Sequence, residues 1–307
     1  MQITSANLNQ LRKQFEKRFH EAYVAAEPKL GPLAMEIPSS TKTNVYGWIA
    51  QSVTLREWLG ARVAQNLSEH DYSLTNKHFE GTVEIDKDDV QDDNLGMFDS
   101  VAIPQLGEAV AKHPEKQIAA LLVANPLAFD GLALFHDAHP SFDDAGSTYD
   151  NLEASGFALT AVNLAAIQAS AAGIVGEDGE PLEIHYTDLF VPPQLEFTAK
   201  QILSSATYAS LVTGEGAGAV QIENVLAGTM NVHVVPKLAG AATTWYAADL
   251  SKTIKPIIRQ VRQQPVFVSQ DAINDNNVFM FRKFRYGVDL RDAYGVTIPA
   301  LIRKCVG

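Results

Sequence analysis

The segment 39–98 constrains the fold of this chain most, because it begins and ends like a β-strand but has a long middle without regular periodicity. Residues 44–49 alternate aromatic with smaller side chains, and residues 79–86 alternate apolar with polar ones. A two-stranded hairpin with so long a connection is barely stable alone in water. We therefore expect it to lie on another surface, either a second subunit or the chain's own domain.

The composition favours a soluble protein with one large core or two modest ones, because 46% of its 307 residues are hydrophobic. A formal net charge of −12 makes the chain a poor candidate for wrapping nucleic acid. Its one cysteine, Cys305, excludes an intramolecular disulfide and suits a reducing compartment. Neither a secretory signal nor a membrane-length apolar run is recognisable, so we expect synthesis in a cytoplasm.

The N-terminal residues 5–23 are typical of an amphipathic helix, with Ser5 as its N-cap. Its apolar residues recur at three- and four-residue steps: Leu8, Leu11, Phe15, Phe19 and Ala22. The opposite face is basic and comprises Arg12, Lys13, Lys17 and Arg18. That face is either a surface for a partner or DNA, or simply solvated. The three prolines and one glycine of residues 27–40 predict an extended linker.

The acidic residues 86–98 lack the ligand spacing of an EF-hand, so they indicate a helix start rather than a calcium site. A helical pattern follows over residues 97–124. Pro104 and Pro114 interrupt it, which predicts one kinked helix or two helices end to end.

Residues 151–250 read as a separate unit with low charge density. Within it we predict helices over residues 151–172 and 194–211, on either side of a strand within residues 182–193. Further along, alternation around residues 266–268 and 284–289 predicts antiparallel strands.

No motif in the chain predicts catalysis, and we expect no catalytic, cofactor or metal site. His136, Asp137 and His139 are metal ligands by type, but no further ligand is recognisable nearby. The glycines of residues 213–220 are not followed by the lysine and hydroxyl residue of a phosphate-binding loop, so a loop tip is favoured. Cys305 has no convincing acid–base partner.

Three blocks of sequence carry a resemblance to a known family. The first two are SSTKTNVYGWIAQSVTLREWLG (39–60) and NKHFEGTVEIDKDDVQDDNLGMF (76–98). The third comprises TTWYAADLSKTIKPIIRQVRQQPVFVSQD (243–271) and NVFMFRKFRYGVDLRDAYG (277–295). Together with a shorter match at 129–140, these blocks closely resemble the major head subunit of Mu-like phages and prophages.

The resemblance implies an α+β protein with the tailed-phage major capsid fold of the Hong Kong 97 type. Its parts would be an N-terminal arm (1–42), an extended two-stranded loop (43–90), a peripheral domain with the spine helix (91–150), an axial domain (151–250) and the return strands of the peripheral domain (251–307). Such a chain assembles into hexamers and pentamers of an icosahedral shell around phage DNA, and the expected location is the virion capsid.

The same resemblance implies partners and contact residues. Besides itself, the chain would meet portal and decoration proteins and make non-specific contact with packaged DNA, but no membrane. Since about forty residues precede the loop, we expect a separate scaffold protein. The predicted inter-subunit contact residues are aromatic: Tyr46, Trp48, Trp58, Tyr72, Phe79, Phe15 and Phe19.

Two alternatives remain open at this point, namely an encapsulin-like compartment shell and, less favoured, a soluble metal-dependent enzyme. Covalent crosslinking of a shell through lysine and asparagine is disfavoured, because Lys42, Lys77, Asn276 and Asn277 are candidates by residue type alone.

Overall fold

The computed structural model describes residues 3–48, 70–92, 96, 98–141, 146–176, 180–205, 207–211 and 219–307. Its helices are α1 (Ser5–Ala25), α2 (Lys87–Gln91), α3 (Ile103–Ala111), α4 (His113–Ala124), α5 (Ala161–Ala172), α6 (Glu196–Ser204) and α7 (Asn276–Phe281). Within these ranges, no helix combines the length and apolarity that a bilayer crossing requires.

The strands before the C-terminal half are β1 (Ala34–Pro38), β2 (Thr43–Trp48), β3 (His70–Thr75), β4 (Lys77–Asp86), β5 (His139–Pro140), β6 (Thr148–Tyr149) and β7 (Leu152–Glu153). Those that follow are β8 (Asp188–Val191), β9 (Thr207–Leu211), β10 (Ala219–Glu223), β11 (Asn231–Val234), β12 (Thr244–Ala248), β13 (Ile257–Gln270), β14 (Lys283–Val296) and β15 (Ile302–Val306).

A four-stranded sheet in the order β1-β13-β14-β4 combines two strands from the first third of the chain with two from its last fifth. Strands β13 and β14 form a long antiparallel hairpin, β1 runs parallel to β13, and β4 runs antiparallel to β14. Helices α1 and α3 pack beside this sheet. Gly107 lets them approach closely, because a Cβ at that position would lie 2.6 Å from the carbonyl oxygen of Phe19.

A five-stranded mixed sheet, ordered β11-β8-β12-β15-β7, forms the second core. Its strands β8 and β12 are buried at every position, which requires cover on both faces. Helices α5 and α6 supply part of that cover through Leu164, Ile167 and Leu203. The indole of Trp245 lies in this core and donates its Nε1–H to the carbonyl oxygen of Phe157 at 3.1 Å.

The helical predictions are confirmed near the N-terminus. Leu8, Leu11, Phe15 and Phe19 are the buried residues of α1, although its N-cap is Thr4, whose hydroxyl accepts from the amide of Asn7. The acidic run begins α2, where the Asp86 carboxylate accepts from the amide of Asp88. The pattern over 97–124 is two helices end to end, α3 and α4, each with its proline in the first turn.

Both helices predicted for residues 151–250 are shorter in the structure than predicted. The first begins only at Ala161, because Thr160 caps it and the residues before it contribute β7. The second ends at Ser204, since Ser205 is extended and residues 207–211 form β9. The expected linker at 27–40 is only partly irregular, as β1 lies within it.

The predicted pairing of residues 44–49 with 79–86 is wrong. Strand β2 pairs with β3, and β4 pairs instead with β14, about 200 residues further along the chain. The alternation predicted for β4 is confirmed. Phe79, Gly81, Val83 and Ile85 are less exposed than the residues between them. The partner of β4 is β14 because β14 offers a complementary register of ten residues beside the same apolar core.

Candidate inter-subunit contact site

The β2–β3 hairpin is a two-stranded sheet of its own that is anchored to the chain's body by two tyrosines. Tyr46 and Tyr72 lie opposite each other in its register. The Tyr46 hydroxyl donates to Gln260 Oε1 at 2.7 Å, and the Tyr72 hydroxyl accepts from the Val296 amide at 3.3 Å. Burial raises the pKa of both phenols, so they remain neutral hydrogen-bonding groups at physiological pH.

A buried network of amide side chains holds the base of this hairpin against the rest of the subunit. Asn76 Nδ2 donates to Ser39 Oγ at 3.0 Å and to the carbonyl oxygen of Thr41 at 2.9 Å. Gln260 Nε2, which is fully buried, donates to Asn76 Oδ1 at 2.8 Å. Because an unmade buried hydrogen bond is costly, each partner holds the others in place and the root of the hairpin is rigid.

Close packing under the hairpin explains why β14 carries a glycine at position 295. A Cβ there would stand 2.7 Å from Leu74 Cδ1 and 2.9 Å from Tyr72 Cε1. Leu74 contacts the buried Ile258 and Ala293 in a small apolar cluster. The inner face of the hairpin is therefore part of the subunit's core, while Val45, on the outer face, is 60% exposed.

The other predicted contact residues are dispersed. The ring of Phe79 lies 4.4 Å from that of His113, at the start of α4. Phe15 and Phe19 are buried against the four-stranded sheet, where Phe15 packs edge-on to Tyr286 at 5.0 Å. While α1 stays in this position, neither phenylalanine has a surface for a neighbour. Trp58 and the side chain of Trp48 lie outside the described part of the chain.

Sequence reasoning missed a second exposed surface, at the end of the β13–β14 hairpin. Helix α7 exposes three consecutive large apolar residues, Phe279, Met280 and Phe281. The available signal was the run itself, because three adjacent apolar residues break the period-two alternation that resumes in β14.

The chain matches the model of one protein family almost throughout. That family is the Mu-like prophage major head subunit gpT, and the matched residues are 8–156, 147–238 and 221–305. The chain belongs to this family. The head subunit is thus a structural capsid protein rather than an enzyme, which confirms both the family and the non-enzymatic interpretation made from the sequence.

Individual relatives and a solved structure agree with the family match. The head subunit is 28% identical to the major capsid protein of Escherichia phage Mu, over 96% of this chain and 72% of that protein. It is 25% identical to a Mu-like prophage major head subunit of Haemophilus influenzae, over 92% of this chain and 67% of that protein. A procapsid structure of bacteriophage JBD30 matches at 26% identity with a TM-score of 0.60, covering 99% of this chain and 76% of the other. The predicted tailed-phage capsid fold is confirmed.

The histidines that are metal ligands by type have structural roles in the head subunit. His139 is fully buried, with Nδ1 2.6 Å from Asp130 Oδ2 and Nε2 3.1 Å from the carbonyl oxygen of Leu134. Burial by itself raises the pKa of Asp130, but hydrogen bonds from His139 and the Leu132 amide outweigh it and lower that pKa. In the parts of the chain that the structure describes, no three His, Cys, Asp or Glu residues are grouped as metal ligands.

The other candidate residues from the sequence show no reactive environment where the structure describes them. Burial raises the pKa of the Cys305 thiol, which makes it a poor nucleophile. The Asn277 amide is buried and donates to the carbonyl oxygens of Gln270 and Lys283. The glycine segment at 213–220 lies almost entirely outside the described residues.

The basic face of α1 is largely neutralised by acids of the same subunit. Arg12 Nη1 lies 3.9 Å from Asp271, and Arg18 lies within 3.6 Å of both Glu21 and Asp99. Because Arg12 and Arg18 are themselves about half exposed, each pair contributes little to stability, but together they cancel most of the positive charge on that face. The arrangement favours a solvated face over a dedicated DNA-binding surface.

Proposed function

We propose that the head subunit assembles with copies of itself into hexamers and pentamers of a closed icosahedral shell around phage DNA. The observation that carries this proposal is the match to the Mu-like major head subunit family over nearly the whole chain, and the β2–β3 hairpin adds an outer face on which Val45 is exposed. A two-stranded hairpin is barely stable alone in water. Its inner face lies on the same subunit through Tyr46, Tyr72 and Leu74, which leaves its outer face available to a neighbouring copy.

In this proposal the predicted contact residues divide into two groups. Tyr46, Tyr72 and Phe79 hold the hairpin and its flanking strand on their own subunit. Trp48 and Trp58 contact the neighbouring subunit. Phe15 and Phe19 act indirectly, by keeping the N-terminal arm (1–42) on the sheet. We keep the proposed domain layout of a loop (43–90), a peripheral part (91–150 and 251–307) and an axial part (151–250). One change is needed, because residues 77–86 pair with β14 and so belong to the peripheral sheet rather than to the loop.

Weak single contacts suffice for such an assembly, because closure of a symmetric shell makes later contacts effectively intramolecular. We further propose a separate scaffold protein, portal and decoration proteins, and non-specific contact with DNA as partners. The likeness to a procapsid of phage JBD30 supports a precursor stage of the shell. The net charge of −12 supports weak rather than tight contact with DNA.

The direct test is to express the chain alone and together with its neighbouring genes, and to examine both products by sedimentation velocity and negative-stain electron microscopy. Closed shells, capsomers or tubes are the expected products. A stable monomer or small oligomer under every condition, scaffold included, would contradict the proposal.

The three tryptophans of the chain provide a matched set of variants. We expect Trp48→Ala and Trp58→Ala to reduce shell yield while the isolated subunit still unfolds cooperatively at the wild-type temperature. Trp245→Ala is the control, because its side chain is fully buried and its loss should cost about 3–5 kcal/mol of folding free energy. Loss of soluble, cooperatively folding protein in all three variants would count against a contact role for the first two.

A further inference from the structure

The outward face of α4 carries a strip of exposed side chains that folding of the subunit does not use. The opposite face is buried through residues such as Ile118 and Leu122. On the outward face, Val123 is 70% exposed and Leu127, just past the end of the helix, 63%. We define the α4 strip as the exposed residues that follow this face from the N-cap onwards: Lys112, Lys116, Ala120, Val123, Ala124 and Leu127. One side of α4 thus belongs to a core, while the other faces solvent.

The apolar end of the α4 strip is held in place by the residue that ends the helix. Asn125 has φ +48° and is the C-cap of α4. Its side chain accepts from the amide of Phe135 at 2.7 Å and donates to the carbonyl oxygen of the same residue at 3.1 Å. The backbone under Val123 and Leu127 is therefore ordered before a partner arrives, so binding there costs little conformational entropy.

The other end of the α4 strip carries excess positive charge. Lys112 Nζ lies 3.2 Å from Glu108 Oε2, which neutralises part of its charge. Lys116, exposed one turn further on, takes part in no ion pair between residues that the structure describes. The adjacent Glu115 is buried and accepts the Lys29 amide at 2.9 Å, so it is not part of the strip. A complementary partner needs carboxylates at this end and apolar side chains at the other.

The small side chains in the middle of the α4 strip favour a helix as the occupant. Ala120 and Ala124 lie one turn apart and present only methyl groups. Helices pack with their axes about 8–10 Å apart, and small residues at the crossing permit the closer approach. The 12 residues of α4 span about 18 Å. An amphipathic helix laid along them would cover both the apolar end and Lys116.

Among its described residues, the head subunit does not itself supply such a helix. Helices α1, α5 and α6 each expose one large apolar side chain, namely Val24, Val162 and Phe197. Helix α7 exposes three, but it contains no carboxylate and is followed by Arg282 and Lys283, whose charge has the same sign as that of the strip. A separate protein is therefore the better source of a helix that has both apolar residues and carboxylates.

We propose that the α4 strip docks an amphipathic helix of the separate scaffold protein, with the helix's apolar residues on Val123 and Leu127 and its carboxylates on Lys116. This docking rests on the assembly proposed above, in which a scaffold protein is a partner. It gives that partner a surface distinct from the β2–β3 hairpin. A contact along one short helix buries less area than a standard protein interface, so we expect a weak and reversible association.

The first test changes the α4 strip at three positions in one chain, by Lys116→Glu, Val123→Ser and Leu127→Ser. Because these side chains are exposed, thermal unfolding of the isolated subunit should stay at the wild-type temperature. Co-expressed with the neighbouring genes, the triple variant should yield at least about tenfold fewer closed shells than the wild type, as expected when central contacts are lost. Expressed alone, it should give the same products as the wild type.

The matched control for the first test is Val162→Ser. It removes a valine that is 77% exposed on α5, another helix of 12 residues. This variant should form shells like the wild type, both alone and with the neighbouring genes.

The second test identifies what lies on the α4 strip. Val123 is replaced by the photoreactive amino acid benzoylphenylalanine, and particles from the co-expression are irradiated. Mass spectrometry of the crosslinked band should find a peptide of a neighbouring gene product that has Asp or Glu about two turns from the linked residue, the spacing of Lys116 from Val123. The same photoreactive residue in place of Val162 is the control and should not link to that peptide.

The outcomes separate this docking from assembly itself. If the triple variant forms shells as well as the wild type in co-expression, or if the peptide linked at position 123 belongs to the head subunit, the docking proposal is wrong and self-assembly stands. If the triple variant loses assembly equally when expressed alone, the strip contacts another copy and the docking proposal is wrong as well. If the wild type never assembles but position 123 still links to the acidic helix, docking stands and the assembly proposal falls.

Discussion

The two halves of the β13–β14 hairpin are built from one pair of strands but have opposite environments. In the root half, residues 257–261 of β13 are buried at every position, with β1 on one side and β14 on the other. In the tip half, burial alternates, and among the described residues β13 has no strand partner beyond Val261 on its outer side. The root is interior, while the tip half has an outer face and an edge open to contact.

This difference separates the residues that fold the subunit from those available for assembly. A strand covered on both faces contributes to the free energy of folding and can contact nothing else. A strand covered on one face contributes less to folding, but it keeps a surface and an edge for another molecule. Matched substitutions in the two halves test this difference.

The largest effect is expected from Ile258→Ala in the root. Ile258 is fully buried beneath the β2–β3 hairpin, and removing its side chain should lower the free energy of unfolding by about 2–5 kcal/mol. Val268→Ala in the tip half, where the side chain is 41% exposed, should cost about 1 kcal/mol or less. Denaturant unfolding of the isolated subunit measures both. Equal losses would mean that the two halves do not differ as described.

An intermediate effect is expected from Asp292→Asn, also in the root. The buried carboxylate of Asp292 accepts from Tyr294 at 2.9 Å and from Arg259 at 3.4 Å, and lies 3.2 Å from His113 Nε2. Neutralising it leaves the half-exposed Glu36 as the remaining counter-charge of Arg259, which should cost about 1.5–3 kcal/mol.

The control for that variant is Asp289→Asn, three residues along the same strand. Asp289 is partly exposed and lies 3.8 Å from His78, so its loss should change stability by about 0.5 kcal/mol or less. Calorimetry of the two variants gives the comparison. A large loss at Asp289 would indicate that the outer face is already covered in the isolated subunit.

The smallest effect is expected from Glu84→Gln, on the outer face. Hydrogen bonds from Lys283 and Arg285 lower the pKa of Glu84, so any stability from these pairs is present above the ordinary carboxyl range and is lost as pH falls through the lowered pKa. All three groups are solvent exposed and screened. The thermal midpoint at pH 7 should therefore equal that of the wild type at low and high salt, and a salt-dependent drop would contradict this.

Sequence periodicity predicted which residues of β4 face inward but not which strand lies beside it. A period of two encodes the face of a strand, whereas its partner depends on residues far along the chain, here β14. Strand β3 was not predicted because it is mostly polar, and its alternation is limited to Tyr72 and Leu74. Strand β1 was read as a linker because of its flanking prolines. The helix break at Lys112 was predictable, since proline acts locally.

For the assembly surfaces, too, the sequence identified candidate residues but not which way they face. Aromatic content identified the β2–β3 hairpin as a candidate, but whether Tyr46 and Tyr72 face their own subunit depends on Gln260 and Val296, which lie far away in sequence. The apolar run at 279–281 is visible in the sequence. Only the structure shows that Asn277 and Val278 point inward while the run itself is exposed.

The strand order has a consequence for how the subunit is made. β14 lies inside the four-stranded sheet and β15 inside the five-stranded one, so residues 283–306 complete both. A ribosome adds these residues after nearly all the others described, so a nascent chain that stops before them lacks an interior strand in each sheet. Neither core can close on an unfinished chain. Both cores therefore depend on the same short stretch, so a change within residues 283–306 can disturb the two sheets together.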